Sequence, residues 1–305
     1  MRIALIGQAA FGADVLKGLL AKGHQVVGVF CPPDRGEKQN PIKEAALGAG
    51  LPVFQPKHLK DPEAYDQMVS INPDLAVLAF VTDIAPEKLL AVPQLGAICY
   101  HPSILPKYRG SSAINWAVIN GETKTGLTIF WVDKGIDTGD ILLQKEVDIF
   151  ANETTGEVYF NKLYPMGVEA VIEAVDLVAQ EKAPRIPQDH SKATYDPPCD
   201  EKVAGLDWNR PGHQVFNFIR GTDPQPGATT TFRGEKVKVY NARFVEEEHQ
   251  ARPGEILEIN PDLGIFVAVQ GGAVRLTRFR TKELGKVKAP DFIQARQPQV
   301  GERFG

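Results

Sequence analysis

The chain has 305 residues, 43% of them hydrophobic and 24% charged, with a formal net charge of −4. That length holds one large or two ordinary domains with a sizeable core, and the acidic balance gives no general attraction to a phosphate backbone, so nucleic acid is not an expected partner. No run approaches the roughly 18 apolar residues of a membrane span, and Cys31, Cys99 and Cys199 make neither a C-x-x-C pair nor a disulfide framework, so a cytoplasmic protein with no metal site is expected.

RIALIG at 2–7 is a continuous apolar run ending in Gly, and FGADVLKGLLAKGH after it repeats Phe11, Val15, Leu19 and Leu20 at helical spacing, which predicts strand, turn and helix. QVVGVFC at 25–31, LPVFQP at 51–56 and DLAVLAF at 74–80 predict further strands, separated by helices in NPIKEAALGAG and PEAYDQMVSINP. Apolar strands alternating with helices mean a parallel, doubly wound sheet covered on both faces. GAICYH at 96–101 is the next strand, with a helix in SAINWAVINGE. KTGLTIFWVD at 124–133 and DILLQKEVDI at 140–149 flank the turn KGIDTGD and predict an antiparallel edge hairpin. A long amphipathic helical stretch is expected over 154–181, and the Pro-rich, polar segment 183–200 reads as a linker. Beyond it come one short helix, RPGHQVFNFIRG, and several short strands between Gly and Asn or Asp turns, the pattern of a small barrel. The fold class is therefore α/β: a Rossmann-like, mostly parallel sheet domain over 1–195, then a small, OB-like β-barrel domain over 203–305.

The turn GQAAFG at 7–12 lacks the middle glycine of a dinucleotide fingerprint and the Lys-Ser/Thr pair of a P-loop, so no nicotinamide cofactor is expected. His101 closes a strand at the carboxyl edge of the sheet, where open α/β folds bind ligands. Asp137 lies in DKGIDTGD and reaches the same edge if its hairpin pairs beside the His strand. Such a pair can do carbonyl chemistry, the carboxylate activating a nucleophile and the imidazolium donating to an oxyanion. An ordinary loop histidine and a structural Asp-Thr-Gly turn account for the same residues, and the pattern alone leaves both readings open. Asp133 and Asp140 read as turn-forming.

HPSILPKYRGSSAINWAVINGE followed by TGLTIFWVDKGIDTGDIL resembles the signature of the 10-formyltetrahydrofolate-using formyltransferase and hydrolase family, and LDWNRPGHQVFNFIRGTDPQPGATTTFRGEKVKVYNA resembles that family's second domain. The resemblance implies a catalytic trio of an Asn, a His two positions later and an Asp of the Asp-Thr-Gly turn. These map to Cys99, His101 and Asp137, so Cys99 departs from the pattern: a thiol is a weak donor where the family has an amide. The hydrolase domain of 10-formyltetrahydrofolate dehydrogenase also lacks that Asn and shares the YHPS wording. The resemblance further implies 10-formyltetrahydrofolate as substrate, with Phe80, Val81, Thr82, Asp83 and Ile84 lining the folate crevice. Its formyl group would go to water or, alternatively, to a small amine; a non-catalytic folate-binding protein is a third reading. A tRNA acceptor is disfavoured because CPPDRGEKQNP is short and carries only Arg35 and Lys38 as cations. Arg109 and Gly110 are expected to fix the loop after His101, and Trp116 and Trp131 to be core residues.

Overall fold

The structure, a computed structural model, describes residues 1–305 apart from Arg35 and Glu37. Arg35, counted above among the loop cations, thus lies outside the described residues. The chain divides into two compact units: residues 1–110, 126–147 and 161–195 in one, and 111–125, 148–160 and 196–305 in the other.

The first unit is built on β1 (Arg2–Gly7), β2 (Gln25–Phe30), β3 (Val53–Phe54), β4 (Leu75–Ala79), β5 (Ala97–His101), β6 (Lys124–Trp131) and β7 (Ile141–Asp148), in the order β3-β2-β1-β4-β5-β6-β7. The ladders from β3 through to β5 are parallel, and β5 pairs β6 antiparallel. β1 shows why its sequence is apolar from Ile3 onward. Ile3 and Leu5 pack with Phe11, Val15 and Leu19 of α1 (Ala9–Ala21), while Ala4 and Ile6 join the opposite cluster with Met68 and Ile71 of α3 (Pro62–Ile71) and Leu89 of α4 (Glu87–Leu90). A strand buried on both faces has no polar side to alternate. α2 (Pro41–Gly48) begins at Pro41 behind Asn40, whose Oδ1 accepts from Ile42 N at 3.4 Å and from Ala9 N at 2.9 Å. One side chain thus caps α2 and secures the start of α1.

The helical stretch expected over 154–181 is interrupted. α6 (Thr155–Val158) opens with a capping box between Thr154 and Glu157, a five-residue π segment follows over Tyr159–Leu163, and α7 (Tyr164–Ala179) resumes the α register. Pro165, in the first turn of α7, has no N–H to give and would clash with the carbonyl four residues back, so α geometry cannot run through.

In the second unit, α5 (Ala113–Ile119) packs on α8 (Gly212–Gly221). β8 (Ala228–Phe232), β9 (Glu235–Val245), β10 (Ile256–Asn260), β11 (Gly264–Val269) and β12 (Gly272–Thr281) form an antiparallel sheet in the order β10-β11-β12-β9-β8, with β13 (Gly285–Lys288) beside β12. No ladder joins β8 to β10 among the described residues, so the barrel is not closed by strands. The C-terminal segment spans the gap instead: Phe304 pairs with Phe232 and donates to Gly254 O, and Arg303 pairs with Glu255. Phe304 is buried against Phe232, with ring centroids 5.0 Å apart. β13 and α9 (Ala289–Arg296) were not expected from the sequence. Among the described residues no helix is long and apolar enough to cross a membrane.

Candidate active site

The ends of three strands carry the polar groups that the two-faced core leaves no room for. After β4 the chain turns out at Phe80, whose φ of 61° is left-handed and held there by its surroundings at a cost of order 1–3 kcal/mol. Phe80, Val81, Thr82 and Asp83 line a cavity of about 290 Å³, together with Gly7 and Gln8 at the end of β1, Cys31 and Pro32 after β2, and residues 56–59. β1 and β4 flank the point where the strand order reverses, the crevice that open α/β sheets use for ligands. The Asp83 carboxylate accepts from Leu59 N at 2.8 Å and lies 3.8 Å from His58 Nδ1, and Gln8 Nε2 donates to Thr82 Oγ1 at 3.3 Å. Ile84 is 74% exposed and is not on the cavity wall.

On β5, side chains alternate between the faces, so Tyr100 points into one core cluster while Cys99 packs against the other and shares its face with His101. His101 is buried, and its Nε2 lies 2.7 Å from the carbonyl oxygen of Tyr108. A carbonyl only accepts, so Nε2 carries a hydrogen and Nδ1 is the ring nitrogen turned towards the carboxylate. Nδ1 faces Asp137 Oδ2 at 3.5 Å. That oxygen also accepts from Gly110 N at 2.7 Å, so the carboxylate lies between a backbone donor and an imidazole edge.

Asp137 reaches this place by an indirect route. Because β6 runs antiparallel to β5, with His101 opposite Thr128 and Ile98 opposite Trp131, the chain leaves β6 beside the amino end of β5. The turn then doubles back, with Asp137 itself at φ 54°. Gly139 permits the reversal: a Cβ there would stand 1.7 Å from Trp131 O. Asp133 ties the base of the turn, accepting from Gly135 N at 2.9 Å and from Thr138 Oγ1 at 2.6 Å.

Cys99 sits where the protonated thiol is favoured. Burial, and after it the charge of Asp137, pushes its thiol far above the ordinary value, and its Sγ–H points to Tyr100 O at 3.5 Å. The loop between His101 and Gly110 is braced at many points. Thr128 Oγ1 donates to Ser103 O and accepts from Leu105 N, Ser103 Oγ donates to Lys107 O, and Tyr108 N donates to Thr194 Oγ1.

Sequence reasoning missed Gln188, because it sits in the Pro-rich stretch 183–200 that reads as a linker. The first part of that stretch is built into the site. Gln188 is buried, donates to Asp137 O at 3.0 Å and Gly139 O at 2.7 Å, and accepts from Arg109 Nη2 at 2.7 Å. Arg109, also buried, extends to Tyr195 Oη and His190 Nδ1, each at 2.9 Å. Trp131 is buried under the Arg185 guanidinium, and Trp116 is half-buried, donating to Pro197 O. Among the described residues no group of three or more His, Cys, Asp or Glu is placed to hold a metal ion.

Comparison with known proteins bears on this arrangement. The family model described as formyl transferase matches residues 1–175, and that for the formyl transferase C-terminal domain matches residues 200–297. The chain is 35% identical over 311 residues to a methionyl-tRNA formyltransferase of Alkaliphilus oremlandii, covering 100% of both chains. It is 42% identical over 264 residues to the cytosolic 10-formyltetrahydrofolate dehydrogenase of Xenopus tropicalis, covering 85% of this chain but 29% of that relative. Among solved structures, HypX from Aquifex aeolicus in complex with tetrahydrofolic acid superposes with a TM-score of 0.69 at 21% identity, over 99% of this chain and 48% of that one. An N-formyltransferase from Helicobacter canadensis, with folinic acid and dTDP-3-aminofucose, gives 0.69 at 17% identity, over 90% and 97%. At those identities the two structures show a shared fold.

Proposed function

The chain belongs to the formyl transferase family, and from that premise we propose that it takes 10-formyltetrahydrofolate and releases the formyl group by hydrolysis, giving tetrahydrofolate and formate. In this reading Asp137 orients a water molecule and accepts its proton while the water adds to the formyl carbon. Protonated His101 donates from Nδ1 to the oxyanion. The N10–C bond then breaks, the proton passes to the departing amine nitrogen, and formate leaves. Phe80, Val81, Thr82 and Asp83 flank the folate; Ile84, exposed outside the cavity, is left out of the proposal.

The observation that carries the choice of water is Cys99. The position two residues before the catalytic His holds a protonated thiol directed at a backbone carbonyl, so it brings no amide N–H to the formyl oxygen. His101 is left to stabilise the oxyanion, and an acceptor as small and mobile as water places the least demand on how the carbonyl is held.

A second reading, transfer to an amine, is supported by the full-length match to a methionyl-tRNA formyltransferase and by the polar rim of Gln8, Lys57, His58 and Asp83 on the cavity. One assay separates the two. Tetrahydrofolate release is followed with no acceptor, with a panel of amino sugars and amino acids, and with initiator methionyl-tRNA. Release without acceptor, abolished in His101→Ala, supports hydrolysis. Release only with one amine or with the tRNA refutes it in favour of transfer, and tight folate binding without turnover refutes both.

A further inference from the structure

We propose that Gln188 is a positioning residue that sets the Asp137 carboxylate against His101, acting together with Arg109. The proposal rests on the reading of Asp137 as a group that works on the formyl donor, and goes beyond it by assigning what holds that group in place.

A glutamine has two N–H donors and one carbonyl oxygen, and here every one of them is used. Nε2 donates to the carbonyl oxygens of Asp137 and Gly139, one on either side of Thr138, at 3.0 and 2.7 Å. Oε1 accepts from Nε and Nη2 of Arg109 at 3.3 and 2.7 Å. The side chain therefore spans from the backbone of the turn to the loop that follows His101. The residue after Arg109 completes a ring, because Gly110 N donates to the Asp137 carboxylate itself at 2.7 Å. Two consecutive residues thus hold residue 137 from both ends, 110 by its carboxylate and 109, through Gln188, by its main chain.

Such bracing has a physical reason. Asp137 sits at φ 54°, a conformation that a non-glycine residue keeps only when its surroundings over-determine it. Left to itself the turn relaxes and the carboxylate leaves the 3.5 Å contact with His101 Nδ1. Arg109 is 3% exposed, and its own partners are an amide, a phenol and an imidazole. Desolvating a guanidinium for such partners is costly, and its fixed fork meets the Gln188 oxygen with two N–H groups, which a lysine cannot do.

The test compares Gln188→Ala, Gln188→Glu, Asp137→Asn and the double variant Gln188→Ala/Asp137→Asn. In Gln188→Ala, kcat for 10-formyltetrahydrofolate turnover is expected to fall by about 10- to 100-fold, the effect of displacing a reacting group by about 1 Å, with KM within about twofold. Gln188→Glu keeps an acceptor for Arg109 but turns a carboxylate oxygen on the Asp137 and Gly139 carbonyls, so it is expected to be as slow. Wild-type turnover in Gln188→Glu would show that Gln188 merely tethers Arg109 and would overturn the proposal. In the double variant no further loss beyond Asp137→Asn is expected; a multiplied loss overturns action through Asp137. If Asp137→Asn alone retains full turnover, the reading of Asp137 fails; if it is inactive while Gln188→Ala is normal, only the positioning role fails. A readout independent of activity is the NMR signal of the Gly110 amide proton, expected to move upfield in Gln188→Ala as its bond to Asp137 weakens. An unmoved signal would overturn the proposal even if turnover had fallen.

Discussion

Gly139→Ala tests whether the path of the Asp137 turn governs turnover. A Cβ at this buried position would stand 1.7 Å from Trp131 O and 2.9 Å from Trp131 C, both backbone atoms at the end of β6. No side-chain rotation relieves that clash. The turn must retreat by about 1.3 Å before the contact reaches the 3.0 Å that real Cβ atoms keep, and in retreating it strains the bonds from Trp131 N to Asp140 O and from Gln188 to Gly139 O. Overpacking of this kind costs about 1–3 kcal/mol, and a displacement of about 1 Å at a reacting group costs about 100-fold in rate. The expected result is a folded protein with a lowered unfolding temperature and kcat down by about two orders of magnitude, read from tetrahydrofolate release and thermal unfolding. Turnover within about threefold of wild type would refute the idea that the turn needs this path.

Two further outcomes follow from Cys99 and its fellow thiols. Cys99→Asn restores a side-chain amide near His101; since one oxyanion donor is worth about 10² to 10³ in turnover, the ratio of amine transfer to hydrolysis in the acceptor screen is expected to rise by at least about 10-fold, and an unchanged ratio counts against the role given to that position. Burial raises the thiols of Cys31 and Cys199 to about 11, with Asp34 and Asp200 adding to it, and raises Cys99 further. A raised thiol pKa disfavours the thiolate, so native protein at pH 7.5 is expected to react slowly with iodoacetamide at all three positions, faster as pH rises towards 11, and readily once unfolded. Mass-spectrometric detection of rapid labelling at Cys99 near neutral pH would contradict this.

The strand ends were legible because burial on both faces leaves a plain signature: RIALIG and DLAVLAF have no polar alternation, so each polar residue that closes such a run marks an edge. His101 was found that way, and the family resemblance singled out Asp137 among the acidic residues of its turn. How Asp137 arrives was not legible, since the antiparallel sense of β6 sends its turn to the other end of β5, and only the doubling back at Asp137 and Gly139 returns it. Gln188 was hidden for a different reason. Its partners lie 51 and 79 positions away, and prolines beside polar residues look alike in a free linker and in an extended segment pinned by buried side chains. The closing role of Phe304 was equally silent, because a lone aromatic at the end of a polar tail has no periodicity to reveal what it covers.

The loop from His101 to Gly110 begins by fixing a proton on Nε2 through Tyr108 and ends by gripping Asp137 through Gly110. Both tasks are done by backbone groups of the loop, so both depend on the number of residues along the chain. A single insertion between 101 and 108 would take the accepting carbonyl off the imidazole, and one between 109 and 110 would separate the grip on the carboxylate from the grip on its main chain. Spacing is thus what both contacts rest on. The number of residues separating the imidazole from the glycine is what keeps both contacts in register.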